Sequence, residues 1–205
     1  MPMRTTAELE SALDHLRAAP SEAGTLTLVV RRPERLAREL LDVAVIDETD
    51  GLVGDNWLSR ATSRAVAAGR HLDAQITVMS ARMVGLLGDT DAERALAGDQ
   101  LYVDLDLSHD NLPAGTRIAV GDDVVLEVTA KPHAGCRKFL SRFGEAAVAF
   151  VNSEEGTRLR LRGLNARVVR GGHVRVGDHV RRLAFSIAPS EVSGRSQTHP
   201  TLSGA

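Results

Sequence analysis

The sequence predicts a mainly β chain, bent into a barrel, with helices at its periphery. Three observations carry that prediction. Runs rich in β-branched residues, such as Thr25-Leu26-Thr27-Leu28-Val29-Val30 and Asn165-Ala166-Arg167-Val168-Val169-Arg170, recur along the chain. The phrase from Gly115 to Val124 resembles that from Gly171 to Val180 in its Gly, Val, Gly-Asp and Val positions. Gly-Asp between β-branched residues signals a tight turn, so each phrase reads as strand, turn, strand. Two equivalent corners of a closed sheet would explain the pair, because closure removes exposed edge strands. Finally, an aromatic content of only 3% assigns the core to Val, Leu, Ile and Ala.

Composition narrows what such a chain can do. With 205 residues it can bury one sizeable core. A formal net charge of -2 supplies no basic field, which argues against nonspecific binding to nucleic acid or membrane. A single cysteine excludes an internal disulfide framework and any all-cysteine zinc or iron–sulfur site. Met1-Pro2-Met3-Arg4 is followed by no apolar signal core, and no run approaches the roughly 18 apolar residues of a membrane span. The expected location is cytoplasmic, where a free thiol stays reduced.

Taken in order, residues 1–20 form an N-terminal amphipathic helix. Thr5 with Glu8 is a capping box, Leu9, Leu13 and Leu16 share one face, and Pro20 stops the run. A barrel domain spans 21–185. It opens with the strand Thr25 to Val30, ended by Arg31-Arg32-Pro33, and Glu34 to Val43 reads as a short helix. Gly51 to Trp57 reads as a tight loop in which Asp55 and Asn56 satisfy turn amides or face a ligand. Ala61 to Gly69 reads as a flexible excursion. Gln75 to Met79 is a strand, and Arg82 to Leu87 and Asp89 to Ala97 are helices. Leu101 to Leu107 alternates, so one face should be buried and the other polar. After the polar loop Ser108 to Gly115 and the first repeated phrase comes the cysteine. Two helices broken at Gly144 follow it, then the strand Asn165 to Arg170, whose partner should begin after Gly171-Gly172. Asp178 to Phe185 completes the barrel, and the Ser-, Pro- and Gly-rich residues 186–205 read as a disordered tail.

The only cysteine lies in Lys131-Pro132-His133-Ala134-Gly135-Cys136-Arg137-Lys138-Phe139, between a strand-like run and a helix-like run. Pro132 forbids continued strand pairing and Gly135 allows a sharp turn. The thiol would then meet the first amides of a helix, which favour a thiolate; Arg137, Lys138 and a protonated His133 would act in the same direction. A lone cysteine also reads as a small buried hydrophobe. A protease-like nucleophile would use His133 as base, but no third member or oxyanion hole is legible. The seven histidines are scattered without zinc spacing, and no phosphate-cradling glycine loop is present. Soft-ligand chemistry remains, in which one thiolate binds a soft metal or carries a sulfur atom. Spacing does not separate that from a buried thiol.

A resemblance does. Three phrases resemble the MOSC domain, named for the C-terminal part of molybdenum-cofactor sulfurase. They are the cysteine corner, the closing phrase Arg162-Gly163-Leu164-Asn165-Ala166-Arg167-Val168-Val169, and the final Gly172-His173-Val174-Arg175-Val176-Gly177-Asp178-His179-Val180. Gly51-Leu52-Val53-Gly54-Asp55 is similar to the Gly-Leu-x-Gly-Asp phrase of compact stand-alone members, and Asn111-Leu112 before Gly115 to their Asn-Leu…Gly phrase. The similarity runs from about Leu26 to Leu183. It implies a MOSC-type bent β-barrel whose cysteine, here Cys136, ligates molybdenum or carries sulfur. It also implies the molybdenum cofactor (molybdopterin), which brings its own dithiolene sulfurs, so one protein sulfur suffices. Relatives include molybdenum-dependent reductases of N-hydroxylated bases and amidoximes, which take electrons from a separate protein. The alternatives within the resemblance are a sulfur carrier with a Cys136 persulfide, fed by a sulfur-donor protein, and a non-catalytic cofactor carrier. Carried over by position, Asn111 matches the asparagine near the cofactor, and Ser108, His109, His133 and Arg137 are candidates for pterin or phosphate contacts. This chain departs from the pattern in two places: Gly135 stands where many relatives have Pro, and His109 stands where the reductases commonly have Arg.

Overall fold

The computed structural model describes residues 3–184. Near the N-terminus, Thr6–Ser11 (α1) and Leu13–Arg17 (α2) form two short helices. The Thr5 and Glu8 capping box starts the first of them. Buried Leu9 and Leu16 dock the pair on the body, as their spacing predicts. The strands and helices that follow are Ala23–Arg31 (β1), Glu39–Leu41 (β2), Val43–Asp47 (β3), Gly51–Leu52 (β4), Ser63–Ala67 (α3), Ile76–Ser80 (β5), Ala81–Leu87 (α4) and Asp91–Arg94 (α5). Next come Leu101–Asp104 (β6), Arg117–Val120 (β7), Val124–Val128 (β8), Arg137–Asn152 (α6) and Glu154–Arg158 (α7). Leu164–Arg170 (β9), Gly172–Arg175 (β10) and His179–Arg182 (β11) complete the described chain.

Seven strands close on themselves in the order β1-β11-β7-β8-β9-β5-β6, with β6 returning to β1. Neighbours are antiparallel except β5 and β6. A parallel pair needs a crossover, and α4 and α5 supply it. The barrel interior is filled by Leu26, Val29, Ile76, Val78, Leu101, Val103, Leu126 and their neighbours. Leu28 and Val30 of β1 and Tyr102 of β6 point the other way, into a second core with Leu9, Met83, Phe139 and Phe143. Helices thus cover one side of the barrel, and strands there are buried on both faces. This corrects the expectation of a polar outer face for Leu101 to Leu107, since Tyr102 is fully buried.

Other expectations are also revised. Glu34 to Val43 is no helix: Glu39–Leu41 pairs with the end of β1, Arg31 opposite Glu39, and Leu36 takes a positive φ. Strand pairing wins through the ladder to β1 and through Leu41, which packs against the barrel core. Ala61 to Gly69 is ordered by the short helix α3, capped by Thr62. The two repeated phrases are not equivalent corners. The first is a hairpin, β7 with β8. The second leaves the barrel's companion sheet, β10-β3-β4, and enters the barrel at β11. Accordingly, β9 pairs with β5 and β8 rather than with a strand after Gly172. Gly144 breaks α6 at a φ of 84°, where the sequence places the break. The tail expected over 186–205 lies outside the described residues.

Candidate functional site

Beyond β8 the chain crosses the barrel rim without regular structure, held from several sides. Asn165 Nδ2 donates to the carbonyls of Lys131 and Pro132, both at 3.1 Å. Asn152 Oδ1 accepts from the Gly135 amide at 2.8 Å, and its Nδ2 donates back to the Gly135 carbonyl at 3.2 Å. The corner delivers Cys136 to the N-cap position of α6, with its thiol exposed. Partial burial opposes ionisation of this thiol. The amides of Phe139 and Lys138 and the charges of Arg162 and Lys138 outweigh it, and hold the thiol below its ordinary pKa. The side chain makes no capping hydrogen bond; the amides act by their proximity.

Beneath the thiol lies a buried charge network. Asp99, fully buried, accepts from Arg162 Nη1 at 2.6 Å. Arg162 Nη2 donates to the Ala97 carbonyl at 3.1 Å, and its guanidinium lies 4.9 Å from the centre of the Phe139 ring. The second oxygen of Asp99 is 3.4 Å from His133 Nε2 without a hydrogen bond. Burial depresses the His133 pKa to about 4, against the pull of Asp99, so the ring is neutral near pH 7. His133 therefore adds no charge to the thiolate, contrary to the sequence expectation.

The same turn organises a cationic cleft. Four successive carbonyls each accept from a different arginine: Ala95 from Arg38 Nε (3.2 Å), Leu96 from Arg142 Nη1, Ala97 from Arg162 and Gly98 from Arg32 Nη1 (2.7 Å). These carbonyls end a short 3₁₀ turn, where acceptors are left open. Arg32, Arg35, Arg38, Arg60, Lys138 and Arg142 line the cleft, with Glu34 at its side. Arg32 is neutralised by the buried carboxylate of Asp55, two bonds of 2.8 Å. Asp55 is thus structural. Among the described residues, no carboxylate forms an ion pair with Arg35, Arg38, Arg60, Arg142 or Lys138. Burial first, then repulsion from Arg142 and Arg32, lowers the Arg38 pKa; burial and Arg32 lower that of Arg60, which also senses Cys136. Guanidiniums stay charged nonetheless.

The structure distributes the other sequence candidates. Ser108 Oγ donates to Asp106 at 3.1 Å and accepts from the Asn111 amide at 3.2 Å. Asn111 Nδ2 donates to the carbonyls of Ser21 and Asp106. Both side chains brace their own loop. His109 is exposed at a separate cavity lined by Lys131 to Ala134 but not by Cys136. Arg137 is exposed in the first turn of α6. Cys136, Lys138, Arg60 and Arg162 are the charged or ionisable groups brought together. Arg32, Arg38, Arg60 and Arg142 were not legible, because no local spacing links residues so far apart in the chain.

Comparison with known proteins agrees with this architecture. The sequence pattern of the MOSC domain matches residues 71–181, just over half of the chain. A search of curated proteins finds no match. Among solved structures, the YuaD protein of Bacillus subtilis is similar with a TM-score of 0.51 and 18% identity, covering 77% of this chain and 94% of that one. YiiM from Geobacillus stearothermophilus is similar with a TM-score of 0.53 and 12% identity, covering 81% of this chain and 77% of that one. At these identities the structures speak for the fold, and the sequence match carries the family. Barrel, cysteine corner and matched residues together lead to one conclusion: the chain belongs to the MOSC domain family.

Proposed function

We propose that this protein binds the molybdenum cofactor, with Cys136 as its protein sulfur ligand and the arginine cleft holding its phosphate. One observation carries the reading: an exposed, thiolate-favouring cysteine stands beside Arg38, Arg60, Arg142 and Lys138, which pair with no carboxylate among the described residues. The donor set fits the cofactor. A single exposed thiolate is enough for a metal that arrives with most of its other ligands. A phosphate asks for several positive donors, and Arg38, Arg60, Arg142 and Lys138 offer them. When bound, the cofactor would supply a redox-active metal able to accept oxygen from an N-hydroxylated or N-oxide substrate. The chain's own contribution is electrostatic: Arg162 and Lys138 keep Cys136 ionised, and Asp99 fixes Arg162. Electrons would come from a separate donor protein, as the family's reductases imply. Among the sequence candidates, Arg137 lies on the rim beside Cys136 and His133 stands against Asp99 beneath it, while Ser108 and Asn111 brace their own loop. A working Cys136 needs a reducing compartment, which the cytoplasm provides. The exposure of Cys136 also favours a second reading, a persulfide that passes sulfur to or from a partner.

The full-length chain and Cys136→Ala should be purified without oxidant, then assayed for molybdenum and for cyanide-labile sulfur. Stoichiometric molybdenum that disappears in the variant is the expected result. Labile sulfur without metal would replace it with the sulfur-carrier reading. Protein with neither, and a Cys136 inert to alkylation while folded, would refute both. Turnover of an amidoxime with a supplied electron donor then separates an enzyme from a carrier.

A further inference from the structure

The cavity beside residues 131–134 encloses about 440 Å³, and Pro113, Ala114, Pro132, Ala134, Val151 and Leu164 give it largely hydrocarbon walls. Arg160 lines it as a buried cation, with 9% of its surface exposed. Its Nη1 is held by the carbonyls of Leu112 at 2.6 Å and Leu107 at 3.4 Å. Among the described residues Nε and Nη2 have no acceptor, and neither is sealed from solvent. Among the described residues, no carboxylate forms an ion pair with this guanidinium. A buried charge is ordinarily paired.

The backbone makes the residue more unusual. Arg160 has a φ of 48°. It follows the last residues of α7, where its amide bonds to the Thr157 carbonyl at 3.0 Å and the Leu161 amide to that of Gly156 at 2.8 Å. This is the helix-ending turn whose left-handed position glycine most often fills. An arginine there costs stability that glycine would not. Strain of this kind, at a side chain aimed into a cavity, points to a task for the side chain.

We infer that this cavity binds a small carboxylic acid with an apolar body, its carboxylate against Nε and Nη2 of Arg160. The guanidinium fork matches a planar carboxylate, and the hydrocarbon walls match the body. His109 at the cavity is held neutral by partial burial and by the Arg160 charge, so it can donate a hydrogen bond without adding a second charge. Exposed Lys131 also lines the cavity, but the buried cation is Arg160. One buried positive charge in an apolar site suits a monovalent anion better than a phosphate.

Isothermal titration of the full-length chain with benzoate, benzamide and inorganic phosphate tests this. Benzoate should bind saturably, with benzamide and phosphate each weaker. Arg160→Gly should weaken benzoate on the order of 10- to 100-fold, the range for hydrogen bonds to a charged group, without lowering Tm. Ala134→Leu, which fills the cavity and leaves Arg160 in place, should weaken it as well. Cys136→Ala should bind as the parent does, which separates this site from the proposed cofactor cleft. Absent benzoate binding, equal binding of benzamide, tighter binding of phosphate, or unchanged affinity in Arg160→Gly would each overturn the inference. A lower Tm in Arg160→Gly together with full binding in Ala134→Leu would overturn it too, by showing Arg160 to be only a brace.

Discussion

Replacing Arg162 by Met should destabilise the protein strongly, by an amount that follows from its partner. Asp99 has no exposed side-chain surface, and Arg162 Nη1 at 2.6 Å is the cation that compensates it. One Asp99 oxygen already lacks a hydrogen bond. Removing the arginine would leave a buried carboxylate uncompensated, at a cost of about 3–5 kcal/mol. At roughly 2–4 °C per kcal/mol for a chain of this size, Tm should fall by about 6–20 °C. Thermal and urea melts of the parent, R162M, D99N and the double variant form a cycle. The double variant should regain most of the loss, because it buries no charge. Alkylation of Cys136 at pH 7 gives a second readout, since the Arg162 charge helps to hold the thiolate. It should slow in R162M and stay slow in the double variant, so stability and thiol reactivity part company. A near-parental Tm for R162M, or a double variant no better than R162M, would refute the assigned charge balance.

Two further outcomes follow from the geometry. His133 is held neutral down to about pH 4, whereas an unfolded histidine takes its proton near 6.5. The unfolded state therefore binds the proton first, and stability should fall as pH drops from about 6.5 toward 4, by about 2 kcal/mol between pH 7 and 5. Urea melts should show a flatter dependence in His133→Gln; an unchanged slope would contradict this. Gly121→Val and Gly177→Val both force a side chain into positive φ, at 63° and 98°, and should cost about 1–3 kcal/mol each. The Gly121 variant should be the worse, because its Cβ would lie 2.7 Å from Asp178 Oδ2, while Gly177 faces open space. The reverse order in denaturant melts would argue against the turn geometry.

What the sequence conveyed well was local. The Thr5 and Glu8 box, the break at Gly144 and the strand from Thr25 each depend on neighbours within a few residues, and each is found in the structure. Pairing was harder to read. The two Gly-Asp phrases look alike because both are turns, yet one closes a hairpin and the other changes sheets. Glu34 to Val43 reads as a helix, but its turn conformation and pairing with β1 are set by tertiary contacts, which override weak helical preference. The same distinction runs through the site. Cys136 is visible as a residue type at a corner, whereas its charged surroundings come from the loop between β1 and β2, the segment between β4 and α3, α6 and the segment before β9.

Those surroundings depend on one small device. Like-charged guanidiniums disperse unless something holds them, and here the carbonyls of residues 95–98 hold four. Asp55 neutralises Arg32, and Asp99 neutralises Arg162. Arg38 and Arg142 receive no such relief and face the cleft with Arg60 and Lys138. Carbonyl dipoles offset part of the repulsion but cancel no charge. The cluster is consequently organised before any anion arrives, and a phosphate entering it would meet fixed donors and relieve repulsion together. That combination favours binding because little ordering is left to be done at the moment of association. It also explains why the cleft lies beside the thiol: Arg162, bound to the third carbonyl, is the link between the arginine cluster and Cys136.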